Sequence, residues 1–461
     1  MKYLLKNGTV VSGSFAKKLD VLVENEKIIQ VGENLSQLDA KVLDVSGKLL
    51  FPGFIDGHTH FDLEVAGTVT ADDFETGTRA ALLGGTTLVI DFASQDKGGH
   101  TLKEGLEKWH KKADGKCSCD YSFHMSIVEW NEETRKEIQD MIDEGITSFK
   151  LYMTYPAMIV DDEDLYKIIK ALNEKGCFAG VHCENAGVID ALIQEAKAEG
   201  RLGPENHPLV RPDTMEAEAV HRLLVIAKEA EAPVMVVHLT NRKAYEEIIR
   251  ARENGQTVFA ETCPQYLLLD DSVYSKPDFE GAKYVCAPPI RKKEDQDCLW
   301  KALEEGNIQT VATDQCSFTL AQKALGKEDF TRIPGGLPGV QTRGTLLYTY
   351  GVRTGKISVE KMCQLLCENP ARLYGVYPNK GVIAEGSDAD IVVFDPEKES
   401  VISARTHAYN TDNNPYEGYK IHGDIDKVFL RGNLAVDDGK LVQEKLGRYV
   451  KRGLRQPLEM K

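Results

Sequence analysis

Apolar and polar positions along this chain follow two different patterns. At both ends, short apolar runs are broken by polar turns, the pattern of half-buried strands. Near the start these runs are residues 5–11, 20–23 and 27–31. Near the end, residues 390–394 are expected to stop at Asp395-Pro396, and residues 427–433 repeat the strand-plus-Gly/Asn pattern of the start. Short strands need partners to bury their faces. The two ends therefore predict one small β-sandwich domain, residues 1–50 with 380–461.

Between the ends, eight β-rich apolar runs fall at residues 49–55, 87–92, 121–128, 148–152, 177–182, 233–239, 257–262 and 308–313. Helix-period stretches such as 161–174 and 215–230 separate most of them. Strands apolar throughout, alternating with helices, predict a parallel sheet covered by helices. Eight of them predict an α/β fold, a (β/α)₈ TIM barrel over residues 51–379. A doubly wound open sheet is the competing architecture. The connections after the fifth and seventh runs are long, where lids and substrate loops usually lie.

The length of 461 residues fits one barrel plus an accessory domain. Hydrophobic residues at 42% and charged residues at 28% are ordinary for a soluble globular enzyme. With 72 acidic against 56 basic residues the net charge is −16, a surface that repels phosphate backbones and anionic lipid. No nucleic-acid or membrane partner is expected. No apolar run approaches the ~18–20 residues that span a bilayer. The start, Met1-Lys2-Tyr3-Leu4-Leu5-Lys6-Asn7-Gly8, is too short in apolar residues for a signal peptide. The 10 scattered cysteines include no CxxC pair, as expected of reduced thiols in a cytoplasmic protein. Each is read first as a small buried hydrophobe.

Polar residues at the ends of the runs carry the candidate chemistry. The first run leads into Asp56-Gly57-His58-Thr59-His60, and the fourth holds Phe149-Lys150-Leu151. The fifth ends Val181-His182-Cys183-Glu184, the sixth Val237-His238-Leu239, and the eighth Ala312-Thr313-Asp314. His58 and His60, two apart on an extended segment, point to one side. Barrel geometry brings strand C-termini around one mouth, so four histidines, a lysine and an aspartate should meet there. Neutral imidazoles and a carboxylate suit zinc or a similar divalent ion. The other histidines (100, 110, 124, 207, 221, 407 and 422) show no such placement and read as structural or surface. An ammonium at Lys150 beside two dications would be repelled. Either Lys150 is not a ligand, or it is not an ammonium; a carbamate formed with CO₂ would make it an anionic bridge.

Several longer motifs resemble the dihydropyrimidinase/D-hydantoinase family of cyclic amidohydrolases, in particular its bacterial phenylhydantoinase branch. They are Pro52-Gly53-Phe54-Ile55-Asp56-Gly57-His58-Thr59-His60, Ser148-Phe149-Lys150-Leu151-Tyr152, Glu261-Thr262-Cys263-Pro264-Gln265-Tyr266-Leu267 and Gly335-Gly336-Leu337-Pro338-Gly339. Asn413-Asn414-Pro415-Tyr416-Glu417-Gly418 and Gly447-Arg448-Tyr449-Val450-Lys451-Arg452 complete them, so the resemblance covers essentially the whole chain. It implies a binuclear metal hydrolase, with two divalent ions per chain and zinc as the expected metal, that opens 5-substituted hydantoins and/or dihydropyrimidines to N-carbamoyl amino acids. One metal would take His58, His60, Lys150 and Asp314, the other Lys150, His182 and His238, with Lys150 carboxylated. A hydroxide between the metals would attack the ring amide carbonyl, polarised by metal and by the Tyr155 phenol. Asp314 would carry the proton to the leaving ring nitrogen. On its own residues, Tyr155 reads as a packed loop aromatic. The resemblance further implies a homotetramer.

Three departures from the family pattern stand out. Gly335 replaces a frequent Asn, Ala287 a frequent Ser before Pro-Pro, and Gln315 a common His after the catalytic Asp. Family members contact the ring at the first two positions mainly through backbone, so Ala287 and Gly335 remain candidate substrate contacts. Gln315 bears on how Asp314 is tuned. An allantoinase- or dihydroorotase-like hydrolase is the enzymatic alternative, but those relatives carry an Arg soon after His-x-His. Here Phe61-Asp62-Leu63-Glu64 follows, which suits a neutral ring. A non-catalytic scaffold is the other alternative, and the six intact ligand positions oppose it. Met158, Ile159 and Val160, in the loop after the Lys150 run, either wall the mouth or pack against the barrel.

Overall fold

The computed structural model describes residues 2–458; Met1 and residues 459–461, which the expected terminal unit includes, lie outside the described residues. Eight parallel strands, Phe54–Thr59, Thr86–Ser94, Asp120–Ser126, Ser148–Tyr152, Phe178–His182, Val234–Val236, Val258–Thr262 and Thr310–Val311, pair in chain order. The chain just beyond the eighth returns to the first. His60 N donates to Gln315 O at 2.8 Å, and Gln315 N donates to His58 O at 3.3 Å. A sheet that returns on itself is a (β/α)₈ barrel, not the open doubly wound alternative.

Strand periodicity divides the apolar residues between two cores. Leu88 and Ile90 join Ile55, Phe178, Met235 and Phe259 inside the ring, while Val89 packs outward with Leu82, Leu106 and Ile138. Helices such as Leu102–Ala113 and Asp162–Glu174 cover the outside and start at side-chain caps, Thr101 and Asp161. Those caps satisfy amides that the first helical turn leaves unpaired.

Both termini build the second unit. One sheet has four strands in the order Lys27–Gly32, Asp20–Glu24, Lys2–Lys6, Lys41–Asp44. The other has seven, including Thr9–Val11, Leu49–Pro52, Ile391–Val401, Lys420–Leu430 and Asn433–Asp437. Tyr3, Leu5, Val21, Val23, Leu50, Ile391, Val393 and Phe429 form the core between them.

Two strands differ from the expectation. The run 49–55 is divided at Gly53: Leu49–Pro52 pairs with Ile391–Val401 in the sandwich, and Phe54–Thr59 begins the barrel. A Cβ at Gly53 would lie 2.0 Å from Thr87 Oγ1, so only glycine passes between the units there. The strand expected to stop at Asp395-Pro396 runs on to Val401, with its register shifting between Asp395 and Glu399. Proline is tolerated at such an irregularity because no ladder donor is needed there.

Candidate active site

The six expected ligand residues converge on the C-terminal ends of the barrel strands. His58, His60, His182, His238 and Asp314 line one cavity of about 890 Å³. Ring centres run His60–His58 5.2 Å, His58–His238 5.4 Å and His238–His182 4.6 Å. Asp314 Oδ1 lies 3.3 Å from His58 Nε2 and 3.2 Å from His60 Nε2. Lys150 is buried beside them, its Nζ 5.0 Å from the Phe92 ring centre and 5.2 Å from that of Tyr152. Phe92 in turn stacks on His60 at 4.8 Å.

Buried carboxylates orient the imidazoles. His58 Nδ1 donates to Glu261 Oε1 at 2.6 Å, which leaves Nε2 toward Asp314. His182 Nε2 donates to Glu184 Oε2 at 2.7 Å, leaving Nδ1 as its open nitrogen. This carboxylate–histidine arrangement is how proteins fix the tautomer of a metal ligand. Burial, assisted by the Lys150 charge, pushes His58 well below the usual imidazole range. Burial also lowers His182 and His238 and holds Lys150 below an ordinary lysine. Burial opposes the charge of Asp314, but the His60 hydrogen bond and surrounding positive groups bring it down to about 2. His58, His182 and His238 are thus neutral imidazoles beside a carboxylate.

Backbone strain marks the same place. His238 (φ 39°), Asp314 (φ 53°) and Tyr155 (φ 65°) all occupy the left-handed region. Such conformations cost about 1–3 kcal/mol each and persist where the surrounding structure enforces them.

Tyr155, Ala287 and Gly335 also line the cavity. The Tyr155 ring centre lies 5.1 Å from that of His182, and burial pushes its phenol up, so it remains a proton donor. Of the three apolar loop residues, Met158 faces the cavity, Val160 is buried in the helix-facing core, and Ile159 borders a separate depression with Asn185. Gln315 is turned away from the cavity. Its Nε2 donates to Asp72 Oδ2 at 3.1 Å, and its Oε1 accepts from Gly339 N at 2.6 Å and Val340 N at 3.0 Å. It anchors the glycine-rich loop.

Four residues outside the expected site also belong to it. His207, read as structural or surface, lines the cavity and donates through Nε2 to Cys286 O at 2.7 Å. Arg211 lines it too, with Nη1 donating to Glu184 Oε2 at 2.5 Å. Burial alone would raise Glu184, but Arg211 and His182 hold it below the usual carboxylate range. Glu261 completes the group, and its place at the end of the seventh run was a signal for it, as was the place of Glu184 two residues past His182. Nothing local marks Arg211 or His207, which arrive on the long connection after the fifth strand.

The donor set fits a divalent ion. One ligand atom each of His58, His238 and Asp314 lie within 4.8 Å of one another. Among the described residues, His58 Nε2 and His238 Nδ1 are buried without a hydrogen-bond partner. Buried nitrogens of that kind call for a partner that the protein does not supply, and imidazole with carboxylate is a zinc-type ligand set.

Known proteins share this architecture. The model of the Amidohydrolase family matches residues 49–435. A D-hydantoinase of Geobacillus stearothermophilus is 45% identical over 98% of this chain and 97% of its own length. A D-phenylhydantoinase of Escherichia coli is 42% identical over 98% of each. The crystal structure of a dihydropyrimidinase from Brevibacillus agri superposes with a TM-score of 0.98 at 44% identity, covering 99% of this chain and 100% of that one. A barrel of this closure, histidines and an aspartate at its C-terminal mouth, and full-length similarity of this degree lead to one conclusion: the chain belongs to the amidohydrolase family.

Proposed function

We propose that this protein hydrolyses the ring amide of 5-substituted hydantoins or dihydropyrimidines, releasing N-carbamoyl amino acids. The observation that carries this reading is the convergence of His58, His60, His182, His238 and Asp314 on one cavity in a chain so similar to hydantoinases. His58, His60, Lys150 and Asp314 would hold one divalent ion, and Lys150, His182 and His238 a second. Lys150 would bridge them as a carbamate formed with CO₂, and zinc is the metal its ligands suit. Two such ions supply Lewis acidity and a water acidic enough to ionise near neutral pH.

The chain's own groups do the rest. Asp314 takes the proton from the attacking water and delivers it to the ring nitrogen as the C–N bond breaks. The protonated Tyr155 phenol donates to the carbonyl oxygen as negative charge builds there. Backbone at Ala287 and Gly335 holds the ring, so the missing side chains of Ser and Asn at these positions are no obstacle. Leu63, Val65, Met158, Ile193, Val210 and Phe330 line the outer cavity and suit an apolar exocyclic group. The free cysteines agree with a cytoplasmic enzyme, and the family resemblance with a homotetramer.

A substrate panel on metal-replete protein tests the reading. Phenylhydantoin or dihydrouracil should be opened with turnover. No ring opening on any cyclic ureide, by protein whose metal content is measured on the same sample, would overturn it.

A further inference from the structure

Lys323 ends the short helix Leu320–Lys323 and is buried, with 2% of its surface exposed. Its Nζ donates to three backbone carbonyls, Val285 O at 2.9 Å, Pro334 O at 2.7 Å and Gly336 O at 2.9 Å. All its hydrogen bonds go to carbonyls, and no carboxylate among the described residues pairs with it. Burial brings its pKa down to about 8. The Phe318 ring, 5.5 Å away, also faces its charge, as do the Cys286 and Cys316 thiols.

The three carbonyls belong to the two backbone segments that wall the cavity at Ala287 and Gly335. Gly336 N already donates to Val285 O at 2.9 Å, so the segments are joined at one point. Convergent carbonyl dipoles repel one another, and a cation at their focus relieves that repulsion most strongly. The glycine loop has no means of its own to supply one. Gly336 has φ 148°, and a Cβ there would lie 2.3 Å from Cys316 O. An apolar side chain would fill the space of Lys323 without the penalty of burying an unpaired charge. The charge is retained at that penalty, and the carbonyls are what it serves.

We propose that Lys323 is a positioning residue for the ring: its ammonium gathers the Val285, Pro334 and Gly336 carbonyls and so sets the gap between Ala287 and Gly335. This rests on the reading that those two positions face the substrate ring. Lys323 touches neither the ring nor the metal ligands, and it acts through the two backbone segments alone.

The test compares wild type, Lys323→Met and Lys323→Arg on a 5-substituted hydantoin, with KM, kcat, metal content and thermal midpoint measured for each. Lys323→Met should keep the wild-type metal content and raise KM by about tenfold or more, with kcat within about threefold. Lys323→Arg keeps the charge but spreads its donors over a plane, so its KM should fall between the two. A metal-loaded Lys323→Met whose KM stays within about twofold of wild type would overturn the proposal, whatever its thermal midpoint. If Lys323→Met does not fold, Lys323→Arg decides: a raised KM at unchanged metal content supports the proposal, and an unchanged KM overturns it. A wild type that opens no cyclic ureide overturns the functional reading and this proposal together, whereas an active wild type with an indifferent Lys323 overturns this proposal alone.

Discussion

Arg211 pairs with the buried Glu184, Nη1 to Oε2 at 2.5 Å, and the same carboxylate oxygen accepts from His182 Nε2 at 2.7 Å. Glu184 thereby fixes which nitrogen of a candidate ligand faces the cavity, and Arg211, from a distant loop, holds that carboxylate in place. Removing one partner of a buried pair leaves an uncompensated charge, which costs about 3–5 kcal/mol. Arg211→Met should therefore lower the thermal midpoint and weaken metal retention. Arg211→Met combined with Glu184→Gln should be less unstable than the sum of the single changes. Additive losses in thermal unfolding would show that the pair is not coupled.

Metal content is the most direct check on the ligand set. Elemental analysis of active protein should approach two divalent ions per chain, since six candidate ligand residues meet at one barrel mouth. Chelation should abolish turnover, and added divalent metal should restore it. Full activity with no more than one equivalent would refute the binuclear centre.

Lys150 distinguishes a carbamate bridge from a structural lysine. Lys150→Ala should lose both metal and activity, and short-chain carboxylic acids should partly restore them by supplying two bridging oxygens. Lys150→Arg should also fail, because a guanidinium stays charged and cannot take up CO₂. A metal-loaded, active Lys150→Arg variant would rule the bridge out.

Asp314 is proposed both to hold metal and to move the proton. Asp314→Asn keeps the shape and removes the base, so kcat should fall by about 10²–10⁴. Near wild-type turnover in metal-loaded Asp314→Asn would reassign the proton transfer to another group.

Substrate charge gives the remaining prediction. The segment after His60 carries no arginine, yet the structure brings Arg211 into the cavity from elsewhere. Its charge is already matched by Glu184, and Glu64 stands at the cavity wall. Among the described residues that line the cavity, a ring carboxylate thus meets no unpaired lysine or arginine. A preference of about 2–3 kcal/mol corresponds to roughly 30- to 150-fold in kcat/KM. Phenylhydantoin or dihydrouracil should exceed dihydroorotate by at least that margin at equal pH and metal loading. Dihydroorotate as the best substrate of the panel would favour the dihydroorotase-like alternative.

Much of this molecule is readable from short-range pattern. A strand's facing is a matter of parity, so the apolar runs located seven barrel strands closely, and the polar residues at their ends located His58, His182, His238 and Asp314. The start of the first barrel strand was harder. Gly53 interrupts no apolar pattern, and only the pairing of Leu49–Pro52 with Ile391–Val401 shows that the chain changes sheets there. Pro396 likewise reads as a stop, and only its neighbouring strand, paired across an irregular register, carries it on to Val401.

Residue type and strand position, both local properties, determined the barrel, its terminal β unit and the ligand candidates. The tertiary structure alone decided that Arg211 and His207 enter the cavity, that Gln315 faces the glycine loop and not Asp314, and that Lys323 joins the two backbone walls. Each of these depends on where a long connection is packed. That path is determined by contacts between residues far apart in the chain, and no period along the sequence records it.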